Sequence, residues 1–111
     1  MSGTDDFTYH LAREDGCVVV SLAGELDMAT APELAECLER LSRNDERTVV
    51  LDVAELRFLD SSGLKVLLAA QQRAQAHGGT VTVRSPNDMV QRLLAMTNLE
   101  GVFGVEEQQT G

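Results

Sequence analysis

The sequence predicts an α/β layer fold whose core strands run parallel. Three observations carry this. Short apolar runs alternate with amphipathic stripes in the order strand, strand, helix, strand, helix, strand, helix, strand. The connections are short, so strands 17–23, 48–53 and 80–84 join in parallel through right-handed crossovers. The 111 residues, 43% apolar and 24% charged, suit one globular domain around one core.

Each element has its own signal. Phe7, Tyr9 and Leu11 alternate with polar residues and read as a strand with one wet face. Asp15-Gly16 is a hairpin turn signal, and Cys17–Ala23 follows as a near-continuous apolar strand, buried on both faces. Gly24–Ala29 reads as a loop. Thr30, Pro32 and Glu33 form a capping-box pattern with proline in the first turn. The helix it opens places Leu34, Cys37, Leu38 and Leu41 on one stripe, and Glu36/Arg40 and Glu39/Arg43 at i,i+4 spacing on the wet side.

Thr48–Val53 is the third strand, and Ala54–Asp60 reads as a connection carrying Leu56, Phe58 and Leu59. A long helix runs from Ser61 to about His77, with Leu64, Leu67 and Leu68 inward, and Gly78-Gly79 stops it. Thr80–Arg84 is the fourth strand. Ser85-Pro86-Asn87-Asp88 opens another helix, with Pro86 at its first position and Met89, Val90, Leu93 and Leu94 as its apolar face. Val102, Phe103 and Val105 suggest a last short strand. Residues 1–6 are expected to be a flexible start, 7–105 one domain, and 106–111 a polar tail.

Charge and composition exclude several classes. With 18 acidic and 9 basic residues the net charge is -9, which argues against a nucleic-acid surface and against docking on anionic lipid. No apolar run is long enough to span a bilayer, and Met-Ser-Gly-Thr-Asp-Asp does not resemble a secretory signal. A cytoplasmic location is expected. Cys17 and Cys37 lack metal spacing and are expected as buried, reduced thiols; no metal site is expected.

Open α/β sheets place their sites at the carboxyl ends of the parallel strands. The segments 24–30 and 54–60 leave from that edge, so Asp27 should meet Asp60, Ser61 and Ser62 across 33 residues of sequence. Asp60 and Ser61 suit a helix cap. Gly63 is unexpected there, since alanine would favour the helix by about 1 kcal/mol; glycine leaves the helix start open to close approach. Ser61 has no base nearby for nucleophilic catalysis. His77 lies at the far end of the same helix, roughly 24 Å away, so an enzyme is not expected. A phosphoacceptor fits better, because a helix N-terminus favours phosphate.

Gly24-Glu25-Leu26-Asp27, Thr30-Ala31-Pro32, Leu51-Asp52-Val53 and Leu56-Arg57-Phe58-Leu59-Asp60-Ser61-Ser62-Gly63-Leu64 together resemble the bacterial anti-sigma-factor antagonists, which are built on the STAS domain. The resemblance runs from about residue 7 to 105. It implies a STAS-like α/β fold: a four- to five-stranded mixed sheet with parallel core strands and about three to four helices packed mainly on one face. It also implies partner switching. The unphosphorylated antagonist binds an anti-sigma factor that is a serine kinase, freeing a sigma factor. The kinase carries the ATP, so the antagonist needs no cofactor of its own. Phosphorylation ends the interaction and a serine phosphatase restores it.

Carried over by position, the acceptor is Ser61, and Asp27, Asp60, Ser62, Gly63, Leu64 and Lys65 form the surface that meets the kinase. Lys65 departs from the family, which often has glycine there, and the family's C-terminal helix is largely missing. The competing class is a STAS scaffold without phosphorylation, a subunit of a transport or signalling complex.

Overall fold

The computed structural model describes residues 7–96 and 104–106. The elements are β1 (Thr8–Glu14), β2 (Cys17–Leu26), α1 (Ala31–Arg43), β3 (Thr48–Leu59), α2 (Ser61–Ala76), β4 (Thr80–Arg84), α3 (Asp88–Met96) and β5 (Gly104–Glu106). One five-stranded sheet has the spatial order β1-β2-β3-β4-β5, with β1 antiparallel to β2 and every other pair parallel. The expected start at 1–6, the apolar Val102 and Phe103, and the tail beyond Glu106 lie outside the described residues.

Right-handed crossovers advancing in one direction across the sheet put all three helices on one face. Val18, Val20 and Leu22 of β2, Val49, Leu51 and Val53 of β3, and Val81 and Val83 of β4 meet Leu34 and Leu38 of α1, Leu64 and Leu67 of α2, and Val90 and Leu94 of α3 in one core. The intervening positions point the other way. Val19 pairs with Val50 there, and each is only 3% exposed. On the same face Arg84 of β4 reaches diagonally across β2 and β3 to Glu14 of β1, 3.4 Å away.

The hairpin forms as its sequence signals. Asp15 and Gly16 both take positive φ, 48° and 84°, and Glu14 pairs with Cys17. This is the two-residue turn whose twist suits a hairpin.

Several expectations need correction. Gly24–Leu26 is not loop but the end of β2, and Ala54–Leu59 is not a connection but the second half of β3. The two strands stay paired through two bulges, between Ser21/Ala23 and Gly24/Glu25, and each time β3 carries one more residue than β2. Burial on β3 therefore falls at Val53, Leu56 and Leu59, every third residue, while β2 keeps Leu22, Gly24 and Leu26 in alternation. A spacing of three imitates neither a strand nor a whole helix face. Gly24 takes φ 94°, open to glycine at little cost.

Second, α3 does not begin at Pro86. Ser85 has φ 57°, and the helix starts at Asp88 with Asn87 as its cap. Asn87 Oδ1 accepts from Val90 N at 3.0 Å while its Nδ2 donates to Leu56 O at 2.8 Å, tying the helix start to β3. Third, only Cys37 is buried; Cys17 is half-buried, with Sγ 3.0 Å from Glu14 O. Burial pushes the Cys37 thiol up, opposed by the nearby Arg40 charge and a hydrogen bond with Tyr9. The two i,i+4 ion pairs expected on α1 do not close; the ion pairs that form nearby are Arg13–Glu46 and Arg47–Asp45.

Candidate functional site

The two bulges carry β2 and β3 outward together to a common rim. Leu26 pairs with Leu59, and Asp60 N donates to Leu26 O at 3.3 Å. Asp27 and Asp60 are therefore the next residues on adjacent strands, whose axes lie about 4.8 Å apart. The sheet register thus brings together what 33 residues of sequence separate. Rims with bulges are common beside functional sites, because a bulge re-aims the residues that follow it.

Asp27 serves its own loop. Its Oδ1 accepts from Ala29 N at 3.0 Å and from Thr30 N at 3.1 Å, and its carbonyl accepts from Ala31 N at 2.7 Å. Thr30 does not act as the expected capping-box residue. It has φ -101° and ψ -18°, already near helical, and makes no side-chain cap bond. Its hydroxyl turns back instead, donating to Glu25 O at 2.9 Å and accepting from Asp27 N at 2.9 Å. The carboxylate that organises the start of α1 comes from three residues earlier.

Asp60 is the N-cap of α2, in extended conformation, with Oδ1 accepting from Gly63 N at 3.0 Å and its carbonyl accepting from Leu64 N at 2.9 Å. Ser61 is the first residue of the helix and is exposed; Ser62 is half-buried. The Ser61 hydroxyl makes no hydrogen bond with a described residue. Lys65 is exposed one turn further along the same face. His77 caps the opposite end of α2, its Nδ1 2.8 Å from Arg73 O.

Gly63 and Leu64 face inward. A Cβ on Gly63 would lie 2.7 Å from side-chain carbons of both Leu26 and Leu59. The close approach that glycine allows is therefore made by the chain's own strand ends. Leu64 is 7% exposed and belongs to the core. An incoming molecule would meet these two residues through their backbone, and Ser61 and Lys65 through their side chains.

Two residues that the sequence did not assign to the site also border the rim: Met28, and Phe58, which it read as part of a connection. Met28, next to Asp27, is 76% exposed and Phe58, two residues before Asp60, is 45% exposed. The Phe58 signal is visible only once the bulges are known, because strict alternation with Leu56 would bury it. Among the described residues no three His, Cys, Asp or Glu side chains gather to hold a metal. No described helix is long and apolar enough to cross a membrane.

An antiparallel β1 beside a parallel β2–β5 run, helices on a single face, and a serine helix start capped by the aspartate that follows β3 define a domain of the STAS type. The chain belongs to the STAS domain family, whose model, described as Mlab, STAS domain, matches residues 9–106. It is 34% identical over 73 residues to the anti-sigma-F factor antagonist RsfB of Mycobacterium tuberculosis, covering 66% of this chain and 60% of that protein's length. It is 33% identical over 95 residues to an anti-sigma F factor antagonist of Paenibacillus polymyxa, covering 85% of this chain and 81% of the relative. Among solved structures, an anti-sigma factor antagonist from Mycobacterium paratuberculosis superposes with a TM-score of 0.84 at 30% identity, covering 96% of this chain and 90% of that one.

Proposed function

We propose that this chain is an anti-sigma-factor antagonist working by partner switching in the cytoplasm. Unmodified, it binds an anti-sigma factor that is also a serine kinase and so releases a sigma factor for transcription. The kinase, which brings its own ATP, then phosphorylates Ser61, and the phosphorylated chain lets go. A serine phosphatase restores the starting state. The observation that carries this reading is the exposed Ser61 hydroxyl, without a hydrogen-bond partner among the described residues, at a helix start that Asp60 has already capped.

In the transfer, Ser61 Oγ bonds to the γ-phosphorus of ATP as the bond from that phosphorus to the ADP oxygen breaks. The hydroxyl proton leaves to a base on the kinase. Asp27, Asp60, Ser62 and Lys65, with the backbone of Gly63 and Leu64, form the surface the kinase covers. The new phosphate carries about -1.5 to -2 charge. It then faces the nucleotide's remaining phosphates in one desolvated cleft. Like charges placed so cost several kcal/mol, and each 1.4 kcal/mol is tenfold in affinity.

Calorimetry with the cognate kinase tests this. The parent and Ser61→Ala should bind alike, and Ser61→Asp should bind about 100-fold or more weaker. Mass spectrometry after incubation with kinase and ATP should find phosphate on Ser61 and none in Ser61→Ala. Equal affinity for all three proteins would favour a scaffold or complex subunit that needs no phosphorylation.

A further inference from the structure

We propose that Lys65 is a latch for the phosphorylated state, its ammonium pairing with the phosphate on Ser61. The inference rests on the reading of Ser61 as phosphoacceptor and adds a positioning residue to it. Ser61 and Lys65 are both exposed and stand four residues apart on α2. Side chains at that spacing are neighbours, and an anion N-terminal to a lysine is the more favourable order.

The helix end by itself is an incomplete counter-charge here. Its Gly63 N–H is already taken by Asp60 Oδ1 at 3.0 Å, which leaves the N–H groups of Ser61 and Ser62 for a phosphate. Asp27 and Asp60 at the same rim are acidic and repel a phosphate. α2 has no acidic residue in its first turn and only one basic residue, Arg73, in its last. Lys65 is the chain's one lysine, and it makes no ion pair with a described residue. Glu39 of α1 and Arg73 share the shallow groove beside it, so Glu39 is the anion against which a phosphate would compete. A phosphate of charge near -2, one turn away, outcompetes a single carboxylate across the groove.

The latch gives the modified state its own charge compensation. The phosphate then lies along the helix rather than disrupting the acidic rim, and release from the kinase needs no unfolding of α2. A lysine in this place also explains how a chain of net charge -9 accepts another dianion beside two aspartates.

The test uses the full chain with phosphoserine introduced at position 61 during translation, in the parent and in Lys65→Gln and Lys65→Arg. Phosphorus NMR follows the second ionisation of the phosphate. In the parent and Lys65→Arg it should fall about 0.2–0.4 pH unit below that in Lys65→Gln, and the gap should close at 1 M salt. Superimposable titrations for all three would overturn the latch and leave the acceptor reading standing. The kinase labelling described above separates the two ideas: a parent chain labelled at a residue other than Ser61 overturns the acceptor reading, and the latch as a physiological device with it.

Discussion

Two strand-to-helix junctions lie side by side at the rim of the sheet, and they use similar residues to opposite ends. At each, a buried leucine closes the strand, an aspartate follows, and a hydroxyl residue stands near the start of the helix. In the β2–α1 junction everything is spent internally: the Asp27 carboxylate accepts from Ala29 N and Thr30 N, and the Thr30 hydroxyl bridges Glu25 O and Asp27 N. In the β3–α2 junction the Asp60 carboxylate accepts from Gly63 N, and the Ser61 hydroxyl is left to the solvent. A hydroxyl already holding its own loop cannot be modified without breaking that loop. The contrast separates the junction that builds the rim from the one that offers it to another molecule.

Removing the two carboxylates probes that difference most strongly. Asp27→Ala strands Ala29 N and leaves Thr30 N with the Asp27 carbonyl alone, 3.1 Å away, and hydrogen bonds to a charged acceptor are the stronger kind. It should cost about 2 kcal/mol in urea unfolding, against about 1 kcal/mol for the single cap lost in Asp60→Ala. Equal losses would mean that water replaces Asp27 and that the two junctions are alike.

Gly63→Ala sets helix propensity against packing. Propensity alone makes alanine better by about 1 kcal/mol. The added methyl, 2.7 Å from carbons of Leu26 and Leu59, should cost about 2 kcal/mol in overpacking. The expected outcome is a net loss of about 1 kcal/mol. A gain in thermal midpoint would show that the two leucines move aside and that Gly63 is free to serve a partner instead.

The hydroxyls give the next contrast. Thr30→Val keeps the shape and removes both hydrogen bonds, and should cost about 1 kcal/mol. Ser61→Ala removes none and should stay within about 0.5 kcal/mol of the parent. Circular-dichroism melts of the pair would show it directly. A large loss in Ser61→Ala would make that serine structural and return it to the class of Thr30.

The smallest effect lies away from the rim and serves as a control. The hydrogen bond from Arg13, aided by its charge and opposed by partial burial, holds the Glu46 carboxyl below its usual range. A lowered carboxyl stabilises the fold above the ordinary glutamate value of about 4.3, and the benefit is lost as pH falls through the lower folded value. Glu46→Gln should therefore lower the melting temperature slightly at neutral pH and not at all in strong acid. The gap should shrink with salt, as for any exposed pair.

Much of this molecule is legible along the chain. The apolar runs of β2, β3 and β4, the stripe of Leu34, Cys37 and Leu38, the Asp15-Gly16 turn and the start of α2 at Ser61 all follow from local periodicity and turn chemistry. Those signals depend on neighbours within a few residues, and they suffice for element order and hence for the parallel topology. The meeting of Asp27 with Asp60 follows from that topology together with the rule that sites lie at strand carboxyl ends. What tertiary structure alone decided concerns the rim. Two bulges changed the burial spacing of β3 to three, which hid its second half from any periodic reading. Pairing with β2 then stabilised those residues as strand, because backbone groups must find partners wherever the sheet supplies them. The same long-range contacts set Leu26 and Leu59 against Gly63, turned Thr30 back onto Glu25, and moved the cap of α3 to Asn87, which bonds Leu56 from 31 residues away. Local sequence determines which residues can cap, turn or pack closely; which of them do so depends on the neighbour the fold delivers.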